Sequence, residues 1–275
     1  MAGKAQPTAR DRQVGARLRV LRDESGFTLA RLAQTSGLSE ATLSRMETGK
    51  RAVTREEVAM VTTALKVPIA ERERLMDFVV TGDSGGWWDQ PLPGIPAEMG
   101  LLASYEAEAN ELVDFALFIV PGLLQIEEYA RAVWTTCGFS MDDADMRWVA
   151  RARRQRILGR VDYTAFIHEE AIRTPFGGPR TLRAQVKHLI EVRDRGVDVR
   201  LVRGRQPNGA LLHSWHYMGF PSVTPILNVE VYDGGFYLQD DRVEPYTRQL
   251  EMLDELATSR SETGAMLKAV LKEVS

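Results

Sequence analysis

The sequence predicts two domains, an all-α N-terminal domain of five short helices and an α+β C-terminal domain with a mixed sheet of about five strands. Three observations carry this. Apolar residues recur at helical spacing through the first 80 residues. From Asp162 the pattern changes to short strand-like runs separated by helical stretches, as in Tyr163 to Glu169, Thr181 to Arg195 and Val197 to Val202. Between the halves, Thr81 to Gly94 (TGDSGGWWDQPLPG) is rich in Gly and Pro and lacks a helical period, which reads as a linker spanning 81–94. A chain of 275 residues is also long for one core and comfortable for two.

Composition bounds the class. With 44% hydrophobic and 27% charged residues the chain is globular, neither fibrous nor wholly disordered. The longest apolar run, around Phe115 to Val120, is far shorter than the ~20 residues of a membrane-spanning helix, so no membrane segment is expected. The opening MAGKAQPTARDRQ lacks the apolar block of a secretory signal, and the lone Cys137 excludes an intrachain disulfide; both point to the cytoplasm. Charge is uneven. Residues 1–80 hold 14 Lys and Arg against 10 Asp and Glu, whereas the remainder is net −7. A basic head on an acidic body fits a nucleic-acid-binding unit attached to a domain with another job.

In chain order, Met1 to Arg10 is polar, carries Pro7, and reads as a disordered arm preceding a domain over 11–80. Val14, Leu18 and Leu21 set the buried stripe of the first helix, closed by Gly26. Thr28 caps the second, with Leu29, Leu32 and Ala33 inward and Gly37 at its end. Ser39 caps the third, which turns Leu43 and Met46 inward. Thr54 and Glu57 form a capping box for the fourth, and Pro68 opens the fifth. Two short amphipathic segments joined by Ser36-Gly37-Leu38-Ser39 have the spacing of a helix-turn-helix unit, TLARLAQTSGLSEATLSRMETGKR from Thr28 to Arg51.

Leu18, Arg22, Gly26, Thr28, Leu32, Ala33, Gly37, Ser39, Leu43, Ser44, Glu47 and Gly49 stand in register with the phage-repressor-like (XRE-type) helix-turn-helix regulators, which the region from Arg12 to Val80 resembles. The resemblance implies double-stranded DNA as partner, a homodimer, and a third helix lying in the major groove. By position Glu40, Ala41, Thr42, Ser44 and Arg45 face base edges, with Arg45 the leading reader because its forked donors match guanine O6 and N7. Thr28, Arg31, Lys50 and Arg51 hold the phosphate backbone. Arg22 and Glu47 match a buried ion pair of the family, read as structural. Members often place Gln just after the second cap, where it contacts phosphate; here that position is Leu29, which removes the contact.

The second domain, 95–275, opens with a helix from Ala97 to about Asn110. Phe115 to Val120 is apolar, the Pro121-Gly122 pair breaks the chain, and helices follow over Gln125 to Trp134 and Met141 to Arg160. The latter carries Arg147, Arg151, Arg153, Arg154, Arg156 and Arg160, read as a solvated, salt-bridged face rather than a second nucleic-acid surface. Tyr163 to Glu169, Thr181 to Arg195 and Val197 to Val202 form a βαβ unit. Leu211 to Phe220 supplies a third strand. Ile226 to Tyr232 and Phe236 to Gln239 make a hairpin about Asp233, Gly234 and Gly235, and Val243 to Leu256 and Ser261 to Val274 are closing helices.

The Trp87-Trp88 start, Tyr105-Glu106, Val120-Pro-Gly-Leu-Leu-Gln125, Tyr129-Ala130-Arg131, Arg154-Gln155, Gln185 and Glu230 resemble the C-terminal domain of unknown function found in actinobacterial antitoxin-like regulators. That resemblance implies a small partner protein encoded nearby. A second reading gives this domain a small-molecule pocket among Trp134, Trp148, Trp215 and Tyr217. Enzymatic chemistry is the weaker expectation. His213 and His216 point to opposite faces of a strand and so do not form a metal pair. His168-Glu169-Glu170 offers an acid/base set but reads as a hydrogen-bonded strand end. No nucleophile elbow, phosphate-cradling Gly loop or HExxH is present. No cofactor, metal or catalytic residue is expected.

Overall fold

The structure, a computed structural model, describes residues 9–80, 97–204, 209–221, 224–231 and 234–274. The tryptophans at 87 and 88, the linker and most of the N-terminal arm lie outside the described residues. The chain divides into two compact units. The first holds the N-terminal helices together with residues 100–108 and the short stretch around 220–224; the second holds the rest.

In the first unit, five helices form from the predicted signals: α1 (Ala9–Glu24), α2 (Leu29–Ser36), α3 (Glu40–Glu47), α4 (Arg55–Ala64) and α5 (Ile69–Val80). Val14, Leu18, Leu21, Leu32, Leu43 and Met46 meet Val58, Val61 and Leu65 of α4 and Leu75 of α5 in one core. Three of its helices close in a common way. After α1, Gly26 N donates to Asp23 O and Phe27 N to Arg22 O; after α3, Gly49 N donates to Met46 O and Lys50 N to Arg45 O. These paired bonds satisfy the last carbonyls and need a left-handed residue between them, supplied by Gly26 and Gly49 at φ of 66° and 61°. α4 ends identically but on Lys66, a side-chain-bearing residue at φ 55°. A further helix, α6 (Ala97–Glu108), places its residues 100–108 in this first unit.

The second unit is an α+β layer structure. Its elements are β1 (Glu111–Ala116), α7 (Glu127–Thr136), α8 (Met141–Arg154), β2 (Asp162–His168), α9 (Gly178–Asp194), β3 (Asp198–Val202), β4 (Trp215–Gly219), β5 (Ile226–Val231), β6 (Gly234–Leu238), α10 (Glu244–Leu256) and α11 (Arg260–Glu273). One mixed sheet runs β3-β2-β1-β4-β5-β6, the first three parallel and the rest antiparallel. The crossovers β1 to β2 and β2 to β3 step the same way, so α7, α8 and α9 share a face. α10 covers the other, packing Tyr246, Leu250 and Leu253 on Val113, Phe115, Phe166, Trp215 and Leu227.

The sheet has six strands, one more than the five counted from sequence. The additional strand is β1, the central one; the apolar run Phe115 to Val120 straddles its end instead of forming it, and Phe118 and Ile119 are exposed. α8 is shorter than expected, giving way at Gln155 to a 3-10 turn, because the Gln155 amide turns back to the carbonyls of Gly122 and Gln125. Leu211 belongs to a 3-10 turn and the third expected strand starts at Trp215. Gly234 and Gly235, expected in the hairpin turn, lie in β6.

Candidate nucleic-acid interface

Two capped helices build the surface. Thr28 Oγ1 accepts from Arg31 N at 3.1 Å and Ser39 Oγ from Thr42 N at 3.1 Å, each satisfying one of the first-turn donors a helix leaves open. Gly37, at φ 76°, returns its N–H to Ala33 O and turns the chain between them. α3 then divides cleanly: Leu43, Met46 and Glu47 are buried, whereas Glu40, Ala41 and Arg45 are exposed and Thr42 and Ser44 lie between.

What fixes α3 from behind is partly predicted and partly new. Arg22 grips Glu47 with two bonds, Nε to Oε1 at 2.7 Å and Nη2 to Oε2 at 2.9 Å, and gives Nη1 to Phe27 O at 2.9 Å. The hydrogen bond to Glu47 is the main influence pushing the Arg22 pKa up, and it outweighs burial. This pair braces α3 on α1, as the resemblance implied. Gly15 was not singled out by sequence reading. A Cβ there would lie 2.0 Å from Met46 O and 2.9 Å from Met46 C, so only glycine lets α1 seat against the α3 backbone. The available signal was a glycine inside a helical pattern, which lowers helix stability and therefore calls for a packing reason. Asp11 was missed as well. Its Oδ1 accepts from Val53 N at 2.7 Å and ties the first turn of α1 to the loop after α3.

The outward side chains keep their positions. Arg45 Nε leans back on Ala41 O at 3.1 Å, and the guanidinium stays on the exposed face. Arg31 sits over the Phe27 ring, 4.2 Å from its centroid, which fixes the charge beside the α2 N-terminus. Lys50 is exposed at the turn after α3. Arg51 is engaged, its Nη2 bonded to Glu57 Oε1 at 2.6 Å, on the same Glu57 that closes the α4 capping box. Leu29, where a Gln would touch phosphate, packs on the core.

The aromatic residues of the second unit fall into two places. Trp134 and Trp148 pack with Ala130, Ala144 and Phe139 between α7 and α8, where Arg151 lies over Trp134 at 4.4 Å. Trp215 and Tyr217 belong to the core under α10, with Trp215 edge-on to Tyr246 at 5.9 Å. The four do not line one site. Nor is the arginine run of α8 a simple solvated face. Arg151 and Arg154 are buried, and Arg151 Nη1 donates to Gln125 Oε1.

Around that contact lies a hydrogen-bonded polar network. Gln125 Nε2 donates to Val120 O at 2.6 Å, Gln185 takes Ile126 N at 2.8 Å and gives to Leu124 O at 2.7 Å, and Val120 N donates to Tyr129 OH at 3.3 Å. These residues carried the second resemblance, and here they fasten the loop from 120 to 126. Elsewhere on the sheet, Asp114 takes Tyr163 OH at 2.6 Å and meets His216 Nδ1 at 3.0 Å, and His213 Nε2 lies 2.9 Å from Tyr246 OH. Among the described residues no group of three His, Cys, Asp or Glu side chains is placed to hold a metal ion, and no helix is long and apolar enough to cross a membrane.

Comparison with known sequences finds two matching regions. Residues 13–75 match a family described as a helix-turn-helix domain, covering most of α1, all of α2 to α4 and the first part of α5. No curated protein matches the chain. Residues 99–269, more than half of the sequence, match a domain of unknown function (DUF5753), and the chain belongs to that family.

Proposed function

We propose that this protein is a sequence-specific, DNA-binding transcriptional regulator of the phage-repressor-like, actinobacterial antitoxin-like kind, cytoplasmic and not an enzyme. It binds as a homodimer, laying α3 in the major groove of half-sites roughly 34 Å apart. Its C-terminal domain takes a small protein partner that alters the hold on DNA. The observation that carries the reading is the two-sided α3, whose face of Glu40, Ala41 and Arg45 is open while Leu43, Met46 and the Arg22–Glu47 pair anchor its back. Arg45 reads guanine, Ala41 or the Thr42 methyl meets a thymine methyl group, Glu40 accepts from cytosine, and Thr28, Arg31 and Lys50 position the backbone. Arg51, paired with Glu57, contributes less charge to phosphate than Lys50.

The test is footprinting upstream of the protein's own gene followed by titration of the protected site. Arg45→Ala is expected to weaken binding there by about 1–3 kcal/mol and to relax one base position. Equal weakening on all sequences makes Arg45 a phosphate contact, and absence of any protected site sinks the regulator reading. Copurification of a stoichiometric small protein whose removal leaves operator affinity unchanged counts against the partner's role.

A further inference from the structure

The two edges of the six-stranded sheet are finished differently. Beyond β3, Thr258 N and Oγ1 both donate to Leu201 O, at 2.8 and 3.1 Å, Leu201 N donates to Thr263 Oγ1 at 3.3 Å, and Val202 forms an antiparallel bridge to Ala257. That edge is sealed by the chain's own segment between α10 and α11. At the other end, β6 pairs with β5 alone; among the described residues no strand lies on its outer side. Its sequence, Gly234-Gly235-Phe236-Tyr237-Leu238, contains none of the Lys, Glu or Pro residues that usually keep an edge from pairing. Phe236 is 63% exposed, and Val231, on the same face of the neighbouring strand, is 50% exposed.

We propose that β6 is the seam of the homodimer: two copies pair antiparallel through this edge about a two-fold axis at Phe236, and the sheet continues from one protomer into its partner. The inference rests on the reading of the protein as a dimeric DNA-binding regulator and names the surface that makes the dimer. A second copy suits the strand. A two-fold at Phe236 sets Gly235 opposite Tyr237 and Gly234 opposite Leu238, so Tyr237 and Leu238 each meet a glycine and no like charges meet. Phe236 faces its own copy, an aromatic cross-strand pair. A charged partner segment, by contrast, finds no charge on this strand to recognise. Alternate residues of an edge strand turn their N–H and C=O groups outward, and the second strand takes these up. Five residues a side make a seam smaller than the roughly 1,000 Å² of stable interfaces, so the dimer is weak in free solution and is completed on DNA, where one bound head raises the local concentration of the other.

Two experiments test this on the full chain. Residues directly opposite in an antiparallel pair bring their Cα atoms to about 4.5–5.5 Å, within disulfide range. Phe236→Cys in a Cys137→Ser background is therefore expected to give an interchain disulfide on mild oxidation, whereas Val231→Cys in the same background gives none. Second, Phe236→Lys and Phe236→Glu, at an exposed position and checked for unchanged circular dichroism, each place like charges opposite and are expected to raise the dimer dissociation constant by about tenfold or more in sedimentation velocity. An equimolar mixture of the two variants restores dimers. If both variants dimerise as tightly as the native protein and Phe236→Cys does not cross-link, the seam lies elsewhere and the inference fails while the dimer reading stands. If the native chain stays monomeric up to about 100 µM and occupies a two-half-site DNA as independent monomers, both fail.

Discussion

At the level of single residues, the interface shows which features a sequence displays and which it hides. The caps Thr28 and Ser39 were legible because each is a residue type with a local job at a fixed offset from a helix end, whereas the pair Arg22–Glu47, 25 positions apart, was legible only through the family resemblance. Gly15 was not legible, because its reason is a backbone atom 31 positions away, and no pattern within one helix announces that. The contact makes a sharp prediction. Gly15→Ala raises intrinsic helix propensity by about 1 kcal/mol, yet its Cβ would meet Met46 O at 2.0 Å, and the atom it meets is main chain that cannot swing aside. α1 and α3 must separate by about an ångström, and overpacking of this kind costs about 1–3 kcal/mol. The variant is expected to be less stable in urea unfolding and, under conditions where it is folded, weaker on DNA, since the displaced helix is the one that reads bases. A variant more stable than the native protein, as propensity alone requires, would show that the helices do not approach this closely.

Among the elements, strands and loops separate by how local their cause is. The βαβ unit of β2, α9 and β3 was legible from its change of period. β1 was not, because a central strand is buried on both faces and shows no alternation, and Asp114 interrupts its apolar run while Phe118 and Ile119 extend the apolarity past its end. The loop after β1 is held by side chains from α7, α8 and α9, partners up to 61 residues away, so its motif could be read but its purpose could not. Tyr129 gives this element a measurable signature. Desolvation pushes its phenol up to about 12 from an ordinary 10.0, against the opposing influence of the Val120 N–H that it accepts. Folding therefore favours the neutral phenol. Its contribution is complete below about pH 10 and disappears as pH rises towards 12, a span that limits it to about 2–3 kcal/mol. Urea midpoints taken between pH 9 and 11.5 are expected to fall more steeply for the native chain than for Tyr129→Phe. At neutral pH the same substitution leaves the buried Val120 N–H without its acceptor and costs about 1–3 kcal/mol. Parallel alkaline profiles for the two proteins would remove Tyr129 from the account.

For the molecule as a whole, the boundary between head and body is the point on which sequence and contacts differ most in emphasis. The Gly- and Pro-rich stretch over 81–94 marks a break in pattern, and the C-terminal family match begins at residue 99, yet residues 100–108 of α6 group with the N-terminal helices. The cause is specific. Tyr105 is 1% exposed, its phenol is pushed up by desolvation, and the Arg12 guanidinium on α1 hydrogen-bonds it and partly offsets that shift. Arg12 also fills the space beside Gly49, where a Cβ would come within 2.6 Å of its Cγ, so one side chain touches both α6 and the turn that ends α3. Two residues after α6 the chain enters β1, a central strand of the second unit's sheet. If α6 completes the head, a fragment of residues 1–108 should be more stable than one of residues 1–80, although the longer fragment adds no part of the helix-turn-helix unit. Burial of one tyrosine contributes about 1.5–3 kcal/mol before the entropy of ordering the segment is subtracted, so a net gain of about 1–2 kcal/mol is expected. In a domain of this size that corresponds to a melting temperature higher by about 4–15 °C. Tyr105→Ala in the longer fragment should return it to the level of the shorter one. Equal melting of the two fragments would detach α6 from the head.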